Sequence, residues 1–103
     1  MNTSTQLPDL FKSANELAPL LEHGIDRIYH TALPIAKTLH DRLTSGKPDT
    51  LSEETLRDKY HQFRYTAECA EVLQAEFAVA QEALKRNEMV HFMRCLSAFE
   101  TLN

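Results

Sequence analysis

Residues 56–84 decide the fold, and they read LRDKYHQFRYTAECAEVLQAEFAVAQEAL. Apolar and small side chains recur in this stretch every three or four residues, a spacing that places them on one side of an α-helix. They are Leu56, Tyr60, Phe63, Ala67, Ala70, Leu73, Phe77, Ala80 and Leu84. Neither glycine nor proline interrupts the run. The pattern therefore predicts a long central helix over about residues 52–86, with one side packed against other helices.

The composition of the chain is that of one helical domain. Of its 103 residues, 43% are hydrophobic and 25% are charged, which is ordinary for a globular protein. Only two glycines and four prolines are present, and a sheet-rich fold needs more turns than these residues would supply. We therefore predict a single all-α helical-bundle domain over residues 1–103, with the polar residues 1–6 as a disordered tail.

An apolar stripe also runs through the first part of the chain. At helical spacing it contains Leu7, Phe11, Ala14, Ala18, Leu21, Ile25, Ile28, Ala32, Ile35 and Leu39. Pro19, Gly24 and Pro34 interrupt it without changing its phase. Residues 8–43 therefore form either one kinked helix or two helices that face the same neighbour. We favour a division or strong bend at His23 and Gly24, because glycine commonly ends helices.

The connection to the long helix has clear sequence signals. Residues 44–50 read TSGKPDT, a run of turn-forming residues that predicts a loop. Ser52 can cap the helix that follows, and Leu51 and Leu56 then occupy the two positions of a hydrophobic staple. A helix is therefore expected to begin within about two residues of Ser52.

The last helix is predicted at residues 88–102, after Asn87, and it is apolar on most of its circumference. We expect it to fold back onto the C-terminal half of the long helix, while residues 8–43 and 52–86 form an antiparallel hairpin. This arrangement is a bundle of three to four helices. Its loop end would hold only two helices, which favours either self-association there or folding of residues 25–43 back into a fourth helix.

Part of the long helix is apolar on a second side. Beyond Tyr65 a second stripe contains Tyr65, Cys69, Val72, Val79 and Ala83, interrupted by Glu76. A helix that is apolar on two sides either packs against other helices on both sides or has its second side covered by a partner. The candidate interface residues are Tyr65, Val72 and Val79 on the long helix and Met93, Leu96 and Phe99 on the last helix.

Histidines are the residues to test for a metal. His23, Asp26 and His30 share one helical face, and two imidazoles with a carboxylate can bind a divalent cation. Gly24 lies within this set, however, and five histidines among 15 acidic residues give such spacings by coincidence. Solvated histidines on polar faces are the simpler interpretation, so we expect no bound metal and no other cofactor.

Catalytic patterns are absent from the sequence. Cys69 and Cys95 stand in apolar surroundings without a neighbouring base, so we expect both to be reduced, buried and unreactive. No serine lies in a Gly-x-Ser-x-Gly turn, and residues 45–47 are only a fragment of a phosphate-binding loop. We therefore expect that the protein is not an enzyme.

The charge distribution limits the possible partners. The formal net charge is −4, and the basic residues are scattered rather than clustered, so we expect no nucleic-acid partner. The polar start lacks the features of a cleaved secretory signal, and no apolar run approaches the length of a membrane span. We expect a cytoplasmic protein without a membrane partner, while export by a route without a cleaved signal remains open.

These observations favour a non-enzymatic protein–protein interaction module that self-associates, as a dimer, through apolar helix faces. A first alternative is a small acidic chaperone or regulator that binds an export-bound or aggregation-prone protein. A second alternative is a metal-binding helical bundle that uses His23, Asp26 and His30.

Overall fold

The computed structural model describes the backbone of residues 3–102 and the side chains of residues 10–102. Three helices follow one another: α1 (Thr3–Thr44), α2 (Glu53–Lys85) and α3 (Val90–Leu102). No strand occurs within residues 3–102, so the predicted all-α fold is confirmed. α1 and α2 form an antiparallel hairpin, and α3 packs back on it to give a bundle of three helices.

α1 is one continuous helix, so the division that the sequence favours at His23 and Gly24 is wrong. It also follows that residues 25–43 do not fold back as a fourth helix. Gly24 has another use, because a Cβ atom at this position would lie 2.6 Å from Cζ of Phe99 in α3. The glycine makes room for an aromatic ring and does not end the helix. Residues 3–6, part of the predicted disordered tail, are helical here, and residues 1 and 2 lie outside the described residues.

Pro19 and Pro34, the two prolines in the middle of α1, are exposed. A proline inside a helix removes one backbone hydrogen bond, so the carbonyls of Asn15 and His30 lose the bonds that residues 19 and 34 would donate. Because Pro19 and Pro34 lie on the solvent side, water can satisfy these carbonyls. The phase of the apolar stripe is therefore kept across both prolines, and Ala14, Ala18, Leu21, Ile25, Ala32, Ala36 and Leu39 are buried.

α2 confirms the predicted long helix. Its N-cap is Ser52, whose Oγ accepts a hydrogen bond from the backbone N–H of Thr55 at 3.1 Å. At the other end, Asn87 adopts a left-handed conformation with φ of 60°. The backbone N–H of Asn87 donates to Leu84, and that of Glu88 donates to Ala83, the two bonds of a Schellman motif. Asparagine tolerates this conformation better than most residues, so it ends the helix and turns the chain towards α3.

The core is unequal at the two ends of the hairpin. At one end, side chains from all three helices share a buried cluster that includes Leu21, Ile25, Phe77 and Phe92. α3 packs mainly on α2 and contacts α1 at only a few positions. At the loop end α1 and α2 pack on each other alone. The molecule measures 65 × 24 × 16 Å, and its radius of gyration is 18.6 Å, compared with about 13 Å for a compact domain of this length.

Candidate functional site

The most exposed apolar feature of α2 is a line of three residues, Tyr65, Val72 and Val79, which we call the outer stripe. Their side chains are 67%, 63% and 50% exposed. They recur every seven residues, or about two helical turns, and therefore lie on one line along the helix. The buried residues of α2 point towards α1 and α3 instead, so the outer stripe lies on the edge of the bundle away from α1.

An open groove of about 740 Å³ runs beside the outer stripe, between α2 and α3. Its mostly apolar walls include Tyr65, Cys69, Val72 and Leu73 from α2 and Ala98 and Leu102 from α3. Leu73 and Cys95 form the buried floor of the groove, whereas Tyr65 and Val72 stand at its rim. A groove of this shape between two helices can accept an apolar side chain or the edge of another helix.

Few charges line the groove. Glu68, Glu76 and Arg94 are the charged residues among those that line it. The carboxylate of Glu68 accepts a hydrogen bond from Nε of Arg64 at 3.0 Å, which compensates its charge. The groove therefore carries little net charge, and apolar contact is the main interaction that it offers to a ligand.

The two cysteines differ in their environments. Cys69 is half-buried in the wall of the groove, so the prediction of two buried cysteines is wrong for this residue, and Cys95 is buried as predicted. Burial raises the pKa of the Cys95 thiol, with a smaller effect from the negative charge of Glu76. Hydrogen bonding with Cys69 raises the pKa of Tyr65. Both effects keep these groups neutral at pH 7, which suits an apolar contact surface.

The candidate interface residues on α3 divide into two groups. Met93 is 54% exposed and is available to a partner. Leu96 and Phe99 are half-buried and pack against the core, where the ring of Phe99 faces Gly24. The structure thus brings Tyr65, Val72 and Val79 onto one surface and directs Leu96 and Phe99 towards the inside of the bundle.

Three further exposed leucines on α1 were missed in the sequence: Leu10, Leu17 and Leu20. They lie beside the buried stripe of α1, on the same face of the helix as Gly24. The signal was present, because residues 10, 17, 20 and 24 are separated by seven, three and four positions. It was obscured by the stronger core stripe on the same helix.

The candidate metal ligands are not gathered into a site. In a continuous helix His23 and His30 are about 10 Å apart along the axis, too far to share one cation. Asp26 accepts a hydrogen bond from Nε2 of Gln74 at 2.8 Å, so its carboxylate joins α1 to α2. Within the described part of the chain, no three histidine, cysteine or acidic residues are placed to bind a metal together.

A second groove, of about 460 Å³, lies between α1 and α2 next to the C-terminal end of α3. Ile28, Ala32 and Phe63 line it, and Phe99 and Leu102 of α3 close one end. Between this groove and the loop the sequence predicts only two helices, and the structure has the same arrangement.

No protein-family model, curated protein or solved structure matches the chain. Among residues 3–102, none of the helices combines the length and apolar character that a membrane crossing requires. The surface itself is therefore the basis for a proposed function.

Proposed function

We propose that the protein is a non-enzymatic helical interaction module that binds protein through the outer stripe and the adjoining groove, and that it binds a second copy of itself. The observation that carries this proposal is the exposure of Tyr65, Val72 and Val79 along a single line beside an apolar groove. Solvent-exposed apolar residues scattered singly need no explanation, but a contiguous line of them is typical of an interface.

The chemistry of the stripe suits protein recognition. Tyrosine is among the residues that contribute most to binding when it is anchored in a pocket, and valine adds apolar area with little loss of side-chain entropy. Burying one exposed valine side chain stabilises a complex by about 1.5 kcal/mol or more. The three side chains together can therefore provide several kcal/mol, which the entropic costs of binding offset in part, so we expect weak, concentration-dependent self-association.

A charge placed at the centre of the stripe tests the proposal. We expect Val72→Lys to weaken self-association at least about tenfold, because the interface would have to bury an unpaired ammonium group. The measurement is multi-angle light scattering over a dilution series, with circular dichroism to verify that the helices are intact.

Ala78→Lys is the matched control, since it adds the same charge to an exposed position on the same helix, away from the stripe. We expect this control to associate as the unmodified protein does. A protein that stays monomeric at every concentration, or a loss of association that is equal for both lysine variants, would contradict self-association through the outer stripe.

A further inference from the structure

The outer stripe is symmetric about its central residue. Tyr65 and Val79 each lie seven residues from Val72, at a distance of about 10.5 Å along the helix on either side. When two copies of such a line pack antiparallel, the central residue faces itself and each end faces the opposite end. A two-fold axis at Val72 therefore makes the stripe complementary to itself.

The surface area of the chain favours a second copy as the occupant. The accessible surface is 7408 Å². A compact monomer of 11.8 kDa exposes about 5,900 Å². The excess of about 1,500 Å² is larger than the roughly 800 Å² that each partner loses in a stable interface of ordinary size. Each chain can thus lose the area of an ordinary interface to a second copy and still expose at least as much surface as a compact monomer.

We propose that two copies pack their α2 helices antiparallel, with a two-fold axis at Val72, and that Tyr65 of each copy packs against Val79 of the other. The proposal rests on the self-association proposed above and specifies its geometry. In this arrangement Tyr65 of one copy lies level with Val79 of the other, beyond Glu76, the last residue of α2 that lines the groove. A tyrosine that packs on an exposed apolar side chain of the partner is a common anchor of an interface.

The charges of α2 are compatible with this pairing. On the side of α2 that borders the groove, Glu76 of one copy lies beside Cys69 and Tyr65 of the other. Glu68, whose carboxylate bonds to Arg64, lies beside Ala75 and Val79 of the other copy. Glu76 of one copy and Glu68 of the other are level along the helix axis, and Arg64 compensates the charge of Glu68, which limits the like-charge repulsion between the two helices.

Cysteine cross-linking tests the geometry directly. The variants are Val72→Cys, Tyr65→Cys and Val79→Cys, each in a Cys69→Ala background, treated with mild oxidant and analysed on non-reducing gels. We expect Val72→Cys alone to form a covalent dimer. Tyr65→Cys and Val79→Cys should each remain uncoupled alone, because identical residues are about 21 Å apart, beyond disulfide reach. A mixture of these two variants should cross-link.

The control is Glu71→Cys in the same background, an exposed position on α2 away from the stripe, which should not cross-link beyond random collision. Cross-linking of Tyr65→Cys with itself would indicate a parallel pair and overturn the proposal. A dimer by light scattering whose Val72→Cys variant does not cross-link would overturn this geometry and leave the proposed self-association standing. If the Cys69→Ala protein is monomeric at all concentrations, both the proposed geometry and the proposed self-association are overturned.

Discussion

Gly24 of α1 lies against the ring of Phe99 in α3, and this contact provides a test of how the third helix packs on the hairpin. Replacing glycine by alanine inside a helix normally stabilises it by about 1 kcal/mol. Here the new Cβ would lie 2.6 Å from Cζ and 2.9 Å from Cε1 of Phe99, closer than such atoms can approach. Overpacking of this kind costs about 1–3 kcal/mol. We therefore expect Gly24→Ala to lower the free energy of unfolding by about 1 kcal/mol in chemical denaturation.

The same substitution should change sign when the ring is removed. In a Phe99→Ala background the added methyl group meets empty space, so Gly24→Ala should then stabilise the protein by up to about 1 kcal/mol. If Gly24→Ala stabilises both backgrounds equally, the contact with Phe99 does not limit the approach of α3. The double-mutant cycle separates this effect from helix propensity.

At the scale of single residues, periodicity was sufficient to predict most of the core. The stripe of α2 was predicted almost completely, because residues at a spacing of three and four must share one side of a helix. The role of Gly24 could not be predicted, since it depends on Phe99, a residue far along the chain. Periodicity also did not show which of two adjacent residues is buried: Ala36 is buried, whereas Ile35 is 37% exposed.

The connection between α1 and α2 is closed by a pair of charged side chains. The Arg42 guanidinium donates two hydrogen bonds to the carboxylate of Asp49, from Nε at 2.7 Å and from Nη2. The backbone N–H of Leu51 donates a third at 3.0 Å. These bonds hold the pKa of Asp49 well below its usual range, and the bond from Arg42 is the largest cause. Gly46, with φ of 70°, lets the chain leave α1 within the same loop.

A depressed carboxyl pKa has a defined consequence for stability. Asp49 contributes its full stabilisation above the unfolded pKa of about 4 and loses it as the pH falls towards the lower pKa of the folded state. Asp49→Asn should therefore lower the thermal midpoint at about pH 7 and lower it less at about pH 2, where part of the stabilisation by Asp49 is already lost. Arg42→Gln should reproduce the loss at neutral pH. Equal destabilisation by Asp49→Asn at both pH values would show that the ion pair does not hold the loop.

Helix ends were predictable wherever one residue sets them locally. Ser52 caps α2 through its own hydroxyl, and Asn87 ends it through its own backbone conformation, so both boundaries could be predicted from sequence. The continuity of α1 could not be predicted. Its glycine and prolines are compatible with a helix because of where they lie in the folded bundle, which the neighbouring residues in the sequence do not reveal. The candidate site shows the same division. Tyr65, Val72 and Val79 were identified by spacing, while the groove beside them depends on where α3 lies.

At the scale of the whole molecule, α3 divides the hairpin into two halves of unequal stability. Side chains of α3 such as Phe92 and Cys95 are almost fully buried and complete the core around residues 73–84. Around residues 53–63 the hairpin has two helices only, and Tyr60 and Phe63 are half-buried there. Fewer buried contacts lower the free energy of local opening. The two halves should therefore differ in how often they open.

Hydrogen exchange under native conditions measures this difference. We expect backbone amides in residues 53–63 to exchange faster than those in residues 73–84, since only the latter are covered by α3. Phe92→Leu should speed exchange in residues 73–84 by about five- to tenfold, the equivalent of roughly 1 kcal/mol of lost packing, and leave residues 53–63 nearly unchanged. Equal exchange in the two halves would mean that the rod opens as one cooperative unit. The packing of α3, on which the groove depends, would then not be a separate source of stability.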